Sequence, residues 1–338
     1  IVWRTMLSIL EIAERNSYVK NLVVVDGIMR TGKSLNNSLI ASLDRCEMWQ
    51  QYPIIDSIPI LHGLGRLDAD VAIALLHREI DMNLYYQLVG RKVNFRYADT
   101  TGIWRSKDPG EYFRRIFSNE EVEILDRIIS GEIDPIFNLC THDVMCNVNI
   151  LYRAYPDVRI VWARRHPADA VYSWHMKQWG DRIGTEPRSL ALAFKGSDGP
   201  IPWFAVDWME AYTSMSPTDR IIHGIDWLQR RSKEGYDALN ESQRSQVFIA
   251  TFEDVVTNSE DYFDKMCKFL GTNRTSATPA IMERERVPRE LTLSDHEHRL
   301  DTIRESASSE AFDHLRKMGA AYDQESRNLY SLDIPGMR

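Results

Sequence analysis

Residues 21–34 read Asn-Leu-Val-Val-Val-Asp-Gly-Ile-Met-Arg-Thr-Gly-Lys-Ser (NLVVVDGIMRTGKS). The run Asn21 to Asp26 is short, apolar and rich in β-branched valine, which predicts a buried strand. Gly27 to Ser34 then fits G-x-x-x-x-G-K-[ST] at every fixed position, and Leu35 to Leu43 reads as the helix that follows. Glycines let the backbone curl so that successive N–H groups point inward. The helix start adds partial positive charge, and Lys33 adds a full one. Such a cradle suits a di-anionic group joined by a bridging oxygen. The motif says that phosphate binds; it chooses neither the nucleotide nor the reaction.

Outward from this stretch, short apolar runs alternate with longer periodic segments. Phe137 to His142, Val158 to Ala163 (VRIVWA) and Val247 to Thr251 (VFIAT) read as strands. Residues 68–90, 110–130, 147–155, 167–179, 203–214, 224–240 and 259–270 read as helices, the last ending at Gly271. This order predicts an α/β fold of three layers, a central mainly parallel sheet with helices on both faces. A ligand would sit at the carboxyl ends of the strands. Residues 180–202 read as a surface loop, 272–300 as a charged irregular segment, and 307–320 as a final helix. The opening Ile1 to Ile12 reads as a short amphipathic helix. With no repeat or linker, one domain is expected over 1–338, its nucleotide-binding core spanning 20–271 and an extension 272–338.

Composition narrows the class. Of 338 residues, 43% are hydrophobic and 10% aromatic, which excludes a disordered, collagen-like or disulfide-scaffold chain. The net charge of −8 suits neither a general nucleic-acid binder nor an anionic-membrane binder, yet it leaves room for a local basic pocket. No run of 18 apolar residues predicts a membrane span. Cys46, Cys140, Cys146 and Cys267 show no CxxC and no zinc spacing, so reduced thiols in a cytoplasmic setting are expected. The chain starts at Ile1, so a targeting or anchor segment upstream is left open.

A second anion-binding signal follows VRIVWA. There Arg164-Arg165-His166-Pro167-Ala168-Asp169 leads into a helix that carries Ser173. An arginine fork with a hydroxyl eight residues on suits a terminal phosphate monoester.

Three stretches, in order, resemble the sulfotransferase family, which uses 3′-phosphoadenosine-5′-phosphosulfate (PAPS). They are Arg30-Thr31-Gly32-Lys33-Ser34, Arg165-His166-Pro167-Ala168-Asp169 with Ser173, and VFIATFEDVV continuing to Lys268-Phe269-Leu270-Gly271. The resemblance implies that Gly27, Arg30, Thr31, Gly32, Lys33 and Ser34 cradle the 5′-phosphosulfate. It implies that Arg165 and Ser173 bind the 3′-phosphate, that PAPS is the co-substrate, and that no metal is needed. Thr141-His142 is similar to the Lys-Thr-His of some members, which makes His142 the candidate general base; Cys140 stands where those members have lysine. Two departures are plain. Lys33-Ser34 replaces the usual two hydroxyl residues, and the Arg-Lys-Gly segment of the cytosolic branch is missing, with Arg284, Arg286 and Arg289 in that late region.

Sulfuryl transfer needs fixed cations and N–H donors at the leaving phosphate, for which Arg30 and Lys33 are the candidates, and a base for the acceptor proton. Histidine suits that role because its ordinary pKa lies near neutrality. Glu47, Asp99 and Asp143 are weaker candidates for the base, and His166 and His175 read as packing residues. Most of the tryptophans Trp49, Trp104, Trp174, Trp179, Trp203, Trp208 and Trp227 read as core, with some free to stack on adenine or a sugar. The expected partner is a small-molecule or carbohydrate acceptor, not nucleic acid, and a homodimer is allowed. Two alternatives stay open. A Mg²⁺-dependent kinase or NTPase explains Lys33-Ser34 but needs a carboxylate at a second strand end, for which Asp226 in RIIHGID is a faint substitute. A non-catalytic protein of the same fold would bind nucleotide and transfer nothing.

Overall fold

The computed structural model describes residues 11–13, 15–119, 121–189 and 191–330, with side chains through 326. The expected opening helix lies outside the described residues, apart from Glu11 and Ile12 at its end. Five parallel strands form the central sheet: β1 (Asn21–Asp26), β2 (Gln50–Gln51), β3 (Ile136–Cys140), β4 (Arg159–Arg164) and, beyond the small hairpin of β5 (Ala193–Lys195) and β6 (Pro200–Pro202), β7 (Val247–Thr251). The sheet order is β2-β3-β1-β4-β7. The loop after β1 therefore lies at the middle of the sheet's carboxyl edge, flanked by the ends of β3 and β4.

Alternation along the strands builds the two outer layers. Leu22 and Val24, Phe137 and Leu139, Ile160 and Trp162 share one core with Ile55, Ile58, Leu76, Ile80 and Leu151. Those residues belong to the helices Pro53–Gly63, Ala69–Leu88 and Asn149–Ala154. On the opposite face Val23, Val25, Ile136 and Val161 pack with Leu39, Ile40, Phe263, Met266 and Leu270, from the helices Lys33–Ala41 and Ser259–Leu270. Each fully buried Leu, Ile or Phe contributes roughly 1.5–3 kcal/mol. The three-layer α/β fold is thus the one expected, and Gly271 ends its helix in the left-handed conformation at φ 64°.

Several expectations need correction. The helix read over 110–130 is two, Pro109–Phe117 and Glu121–Ser130; Ser118 is extended and breaks the run. The helix read over 203–214 begins as a 3₁₀ turn, Trp203–Trp208. Residues 272–300 are not irregular but hold the helices Thr278–Glu285 and Leu293–Arg304. Each buries few apolar residues, Ile281 and Met282 in one and Ile303 in the other, so the apolar period is faint. Asp226 lies inside the helix Pro217–Asp237, paired with Arg230 at 3.0 Å, and is no strand end. The last helix is longer than expected, Ser309–Tyr330. Among the described residues, no helix is long and apolar enough to cross a membrane.

Candidate active site

The loop from Gly27 to Ser34 can close because two glycines take conformations denied to other residues. Gly27 has φ 148°, and a Cβ there would lie 2.3 Å from the carbonyl oxygen of Ala163. Gly32 has φ 93°, and its Cβ would meet the Phe252 ring at 2.8 Å. Arg30 is also left-handed, at φ 73°. Thr31 is buried and its hydroxyl donates to Ile28 O at 2.7 Å. Lys33 Nζ donates to Gly27 O (2.6 Å) and Ile28 O (2.7 Å), spanning the loop from within.

The loop opens onto a cleft of about 760 Å³ lined by Arg30, Gly32, Lys33, Ser34, His142 and Arg165 among others. Seven Lys or Arg residues line it against one carboxylate, Glu186. A chain of net charge −8 therefore concentrates positive charge at the carboxyl edge of its sheet.

The second motif joins the first. Arg30 Nε donates to Ser173 Oγ at 2.8 Å, and Arg165 donates to Arg30 O at 3.2 Å. Arg165 lies across Phe252, its guanidinium carbon 4.3 Å from the ring centre. Its buried Nε has no hydrogen-bond partner among the described residues, and the Asp169 carboxylate is 3.8 Å away. Burial lowers its pKa. Asp169 is braced from behind by Arg299 at 2.9 Å and by His296 at 3.6 Å. Burial alone would raise the Asp169 carboxyl, yet hydrogen bonds from His296 and Arg299 hold it well below the ordinary range. His166 is a packing residue, as expected: its N–H donates to Glu253 at 2.9 Å and its ring meets those of His296 and Tyr322. His175 likewise pairs with Thr218.

His142 reaches the same cleft from β3. Asp26, closing β1, accepts from Thr141 Oγ1 (2.8 Å), Val144 N (3.0 Å) and Met145 N (2.9 Å), so the ends of β1 and β3 are tied together. The His142 side chain is 15% exposed, opening only to the cleft. Asp56 accepts its backbone N–H on Oδ1 (3.1 Å) and faces its Nδ1 with Oδ2 (3.1 Å). Burial, aided by the Lys33 ammonium, pushes the His142 pKa well below its usual value. Burial pushes Asp56 well above the ordinary range, against the opposing His142 N–H. Burial thus favours a neutral imidazole, whose Nδ1 faces both Asp56 Oδ2 and, at 3.3 Å, the Gln51 side-chain amide.

The weaker candidates for the base separate cleanly. Glu47 is bound by Arg115 at 2.7 and 2.9 Å and by the Tyr112 hydroxyl, away from the cleft. Asp99 caps its own turn through Thr101. Asp143 is buried, and desolvation, partly offset by Lys33, lifts it to about 8; it does not line the cleft. Cys140 does line it, but burial pushes its thiol up to about 12, so it is no nucleophile.

Two contributors escape sequence reasoning, and a third, Arg289, is named there without a place. Asp56 comes from a helix with no motif. Gln51 lines the cleft through β2, a strand of two residues. Arg289 lines it too, its guanidinium carbon 5.3 Å from the centre of the Phe252 ring that Arg165 also contacts. Of the tryptophans, Trp179 lines the cleft; Trp49, Trp174 and Trp203 are core. Among the described residues, no cluster of three or more His, Cys, Asp or Glu could hold a metal ion.

The fold is a three-layer α/β fold with a glycine-bearing loop at the middle of the sheet's carboxyl edge. Among solved structures, the chain is similar to the sulfotransferase domain from the curacin biosynthetic pathway, at 9% identity and TM-score 0.46, over 92% of this chain and 99% of that one. It is similar to a sulfotransferase from Mycobacterium avium at 13% identity and TM-score 0.38, over 85% and 76%. A sulfotransferase from Alicyclobacillus acidocaldarius gives 15% and 0.33, over 91% and 97%. No protein-family model and no curated protein sequence matches the chain. Likeness at this level assigns no activity, and the chemistry of the cleft is read from its own residues.

Proposed function

We propose that this chain is a sulfotransferase that moves a sulfuryl group from PAPS to a hydroxyl or amine of an acceptor. The observation that carries the reading is the junction of Arg30 with Ser173 and Arg165. It sets a second anion site beside the phosphate loop, at the strand end where a kinase would need a metal-holding carboxylate. The residues fit the nucleotide. The glycine cradle leaves no room for Cβ atoms, and among the described residues the buried Arg165 Nε has no hydrogen-bond partner, only the Asp169 carboxylate at 3.8 Å.

PAPS supplies a sulfur–oxygen bond that breaks toward its 5′-phosphate as the acceptor oxygen bonds to sulfur. Arg30, the loop N–H groups and Lys33 stabilise the charge left on that phosphate. Lys33 Nζ, which donates to Gly27 O and Ile28 O, turns toward the phosphate in this reading. Arg165 and Ser173, joined by Arg289, hold the 3′-phosphate. His142 Nε2 takes the acceptor proton, and Asp56 keeps the ring in the required tautomer. We read the helices after 272 as part of the same domain, since Arg299 and Tyr322 brace the 3′-phosphate side through Asp169 and Glu253.

The test is calorimetry of 3′,5′-adenosine bisphosphate against ATP, with and without Mg²⁺, on the wild type and Arg165→Ala. Metal-independent preference for the bisphosphate, lost in the variant, is expected. Preference for ATP with Mg²⁺ and indifference to Arg165 would favour the kinase reading instead.

A further inference from the structure

Four cations surround the nucleotide side of the cleft: Arg30, Lys33, Arg165 and Arg289. A 3′-phosphate and a phosphosulfate together bring roughly four negative charges near neutral pH, so these four are matched. The cleft holds three more cations, Lys177, Arg182 and Arg188, against the single carboxylate of Glu186. A surplus of two positive charges remains once the nucleotide is in place.

These residues sit on one segment, and that segment is fixed. Trp174 Nε1 donates to Met29 O of the phosphate loop at 2.9 Å. Trp179 packs edge-on against Trp174, with ring centres 5.3 Å apart. A Cβ on Gly180 would lie 2.1 Å from Pro217 O, so the turn abuts the neighbouring helix. Asp181 is taken by Arg220 at 3.5 Å and does not cancel the surplus. Glu186 bridges Arg182 and Arg188, and Arg188 foremost, then Arg182, lowers its pKa to about 2. The bridge joins the two guanidinium groups through one carboxylate and neutralises one of their charges. Lys177 has no ion pair among the described residues. Trp179 and Ile183 add an apolar wall to the same part of the cleft.

We infer that the acceptor is a hydroxylated molecule carrying an anionic oxyacid group, a carboxylate or a sulfate ester, which Lys177 and Arg188 recognise beside the apolar wall of Trp179 and Ile183. The inference rests on the sulfotransferase reading and names the substrate class of that site. Exposed ion pairs are weak singly; preorganised pairs at the mouth of a cleft lose less entropy on binding.

The probe is a matched pair, 4-nitrophenyl β-D-glucuronide and 4-nitrophenyl β-D-glucoside, which differ by a carboxylate in place of a hydroxymethyl group. Each is titrated by calorimetry into protein saturated with 3′,5′-adenosine bisphosphate at low salt. The glucuronide is expected to bind about 10-fold more tightly or better. In Lys177→Ala/Arg188→Ala the advantage should fall to about 2-fold or less, with bisphosphate affinity and melting temperature kept. 4-Nitrophenyl sulfate forms a third arm: tighter binding than the glucuronide assigns the sulfate ester, weaker binding the carboxylate. Equal binding of the matched pair, an advantage that survives in the double variant, or no binding of any probe up to about 10 mM overturns the inference while bisphosphate binding stands. Failure of the bisphosphate itself to bind removes the sulfotransferase reading, and this inference with it.

Discussion

Asp56 holds His142 at two points, its Oδ1 on the backbone N–H and its Oδ2 against Nδ1, each at 3.1 Å. A single side chain thus fixes both where the imidazole sits and which way its Nδ1 faces. Asp56→Asn keeps the size but offers an amide that can stabilise the other tautomer. It should lower kcat for sulfuryl transfer by about 10²–10⁴-fold, comparable to His142→Ala, with bisphosphate affinity unchanged. Steady-state kinetics beside calorimetry separates the two effects. A loss confined to KM would remove the base assignment.

The pH behaviour follows from burial. A base must be neutral to act, and the His142 pKa lies well below that of an ordinary imidazole. Protonation, which abolishes the base, therefore begins at lower pH, and the acid limb of kcat is displaced downward. Nitrogen NMR of His142 should show one neutral tautomer, protonated on Nδ1, still present near pH 6, where a free histidine is more than half charged. A ring that titrates near 6.5, the ordinary value, would contradict this.

Arg165 is expected to discriminate nucleotides. Its buried Nε, without a hydrogen-bond partner among the described residues, and its place beside Arg30 and Ser173 suit a 3′-phosphate. Arg165→Ala should weaken 3′,5′-adenosine bisphosphate by about 10–10²-fold and leave 5′-AMP binding nearly unchanged. Arg289→Ala should weaken the bisphosphate in the same selective way. Equal losses for both nucleotides would assign these residues to the shared 5′-phosphate or to adenine.

The loop and its partner strand are so close that sequence freedom vanishes there. Gly27→Ala would drive a Cβ into Ala163 O at 2.3 Å and force a strained φ. The cost should be roughly 1–3 kcal/mol of stability, read from urea unfolding, with bisphosphate binding lost in protein that remains folded. Gly65→Ala is the control, since φ is also positive but nothing lies within 4 Å of the added atom.

The elements legible in the sequence are those whose chemistry is local. The loop Gly27 to Ser34 is one continuous string between a strand and a helix, so its glycines, Lys33 and the place of β1 can be read directly. Arg165 and Ser173 also share one strand–helix unit. His142 is legible as a residue at a strand end, but the partner that positions its ring is not. Asp56 lies 86 positions away, and the pairing of β2 with β3 together with core packing of its helix brings it alongside. β2 itself is two glutamines with no apolar run to announce it. Arg289 and the helix Leu293–Arg304 sit in a stretch so charged that its buried face has little period. The apolar pattern fails there because those helices are held by ion pairs such as Arg299–Asp169 as much as by apolar contacts.

Glu47 shows the difference between a carboxylate that acts and one that only holds. Sequence alone leaves it among the candidate bases. In the structure Arg115 binds both of its oxygens, at 2.7 and 2.9 Å, and the Tyr112 hydroxyl adds a third contact at 3.1 Å. The two side chains are only 8% and 14% exposed. Removing one partner strands a buried charge, which is costlier than the net worth of the pair. Glu47→Ala should therefore destabilise the protein by about 3–5 kcal/mol, read from denaturant unfolding. Below its melting temperature the folded fraction should keep the bisphosphate affinity and the kcat of the wild type. If kcat fell in fully folded Glu47→Ala while stability held, Glu47 rather than His142 would have to be reconsidered as the group that accepts the proton.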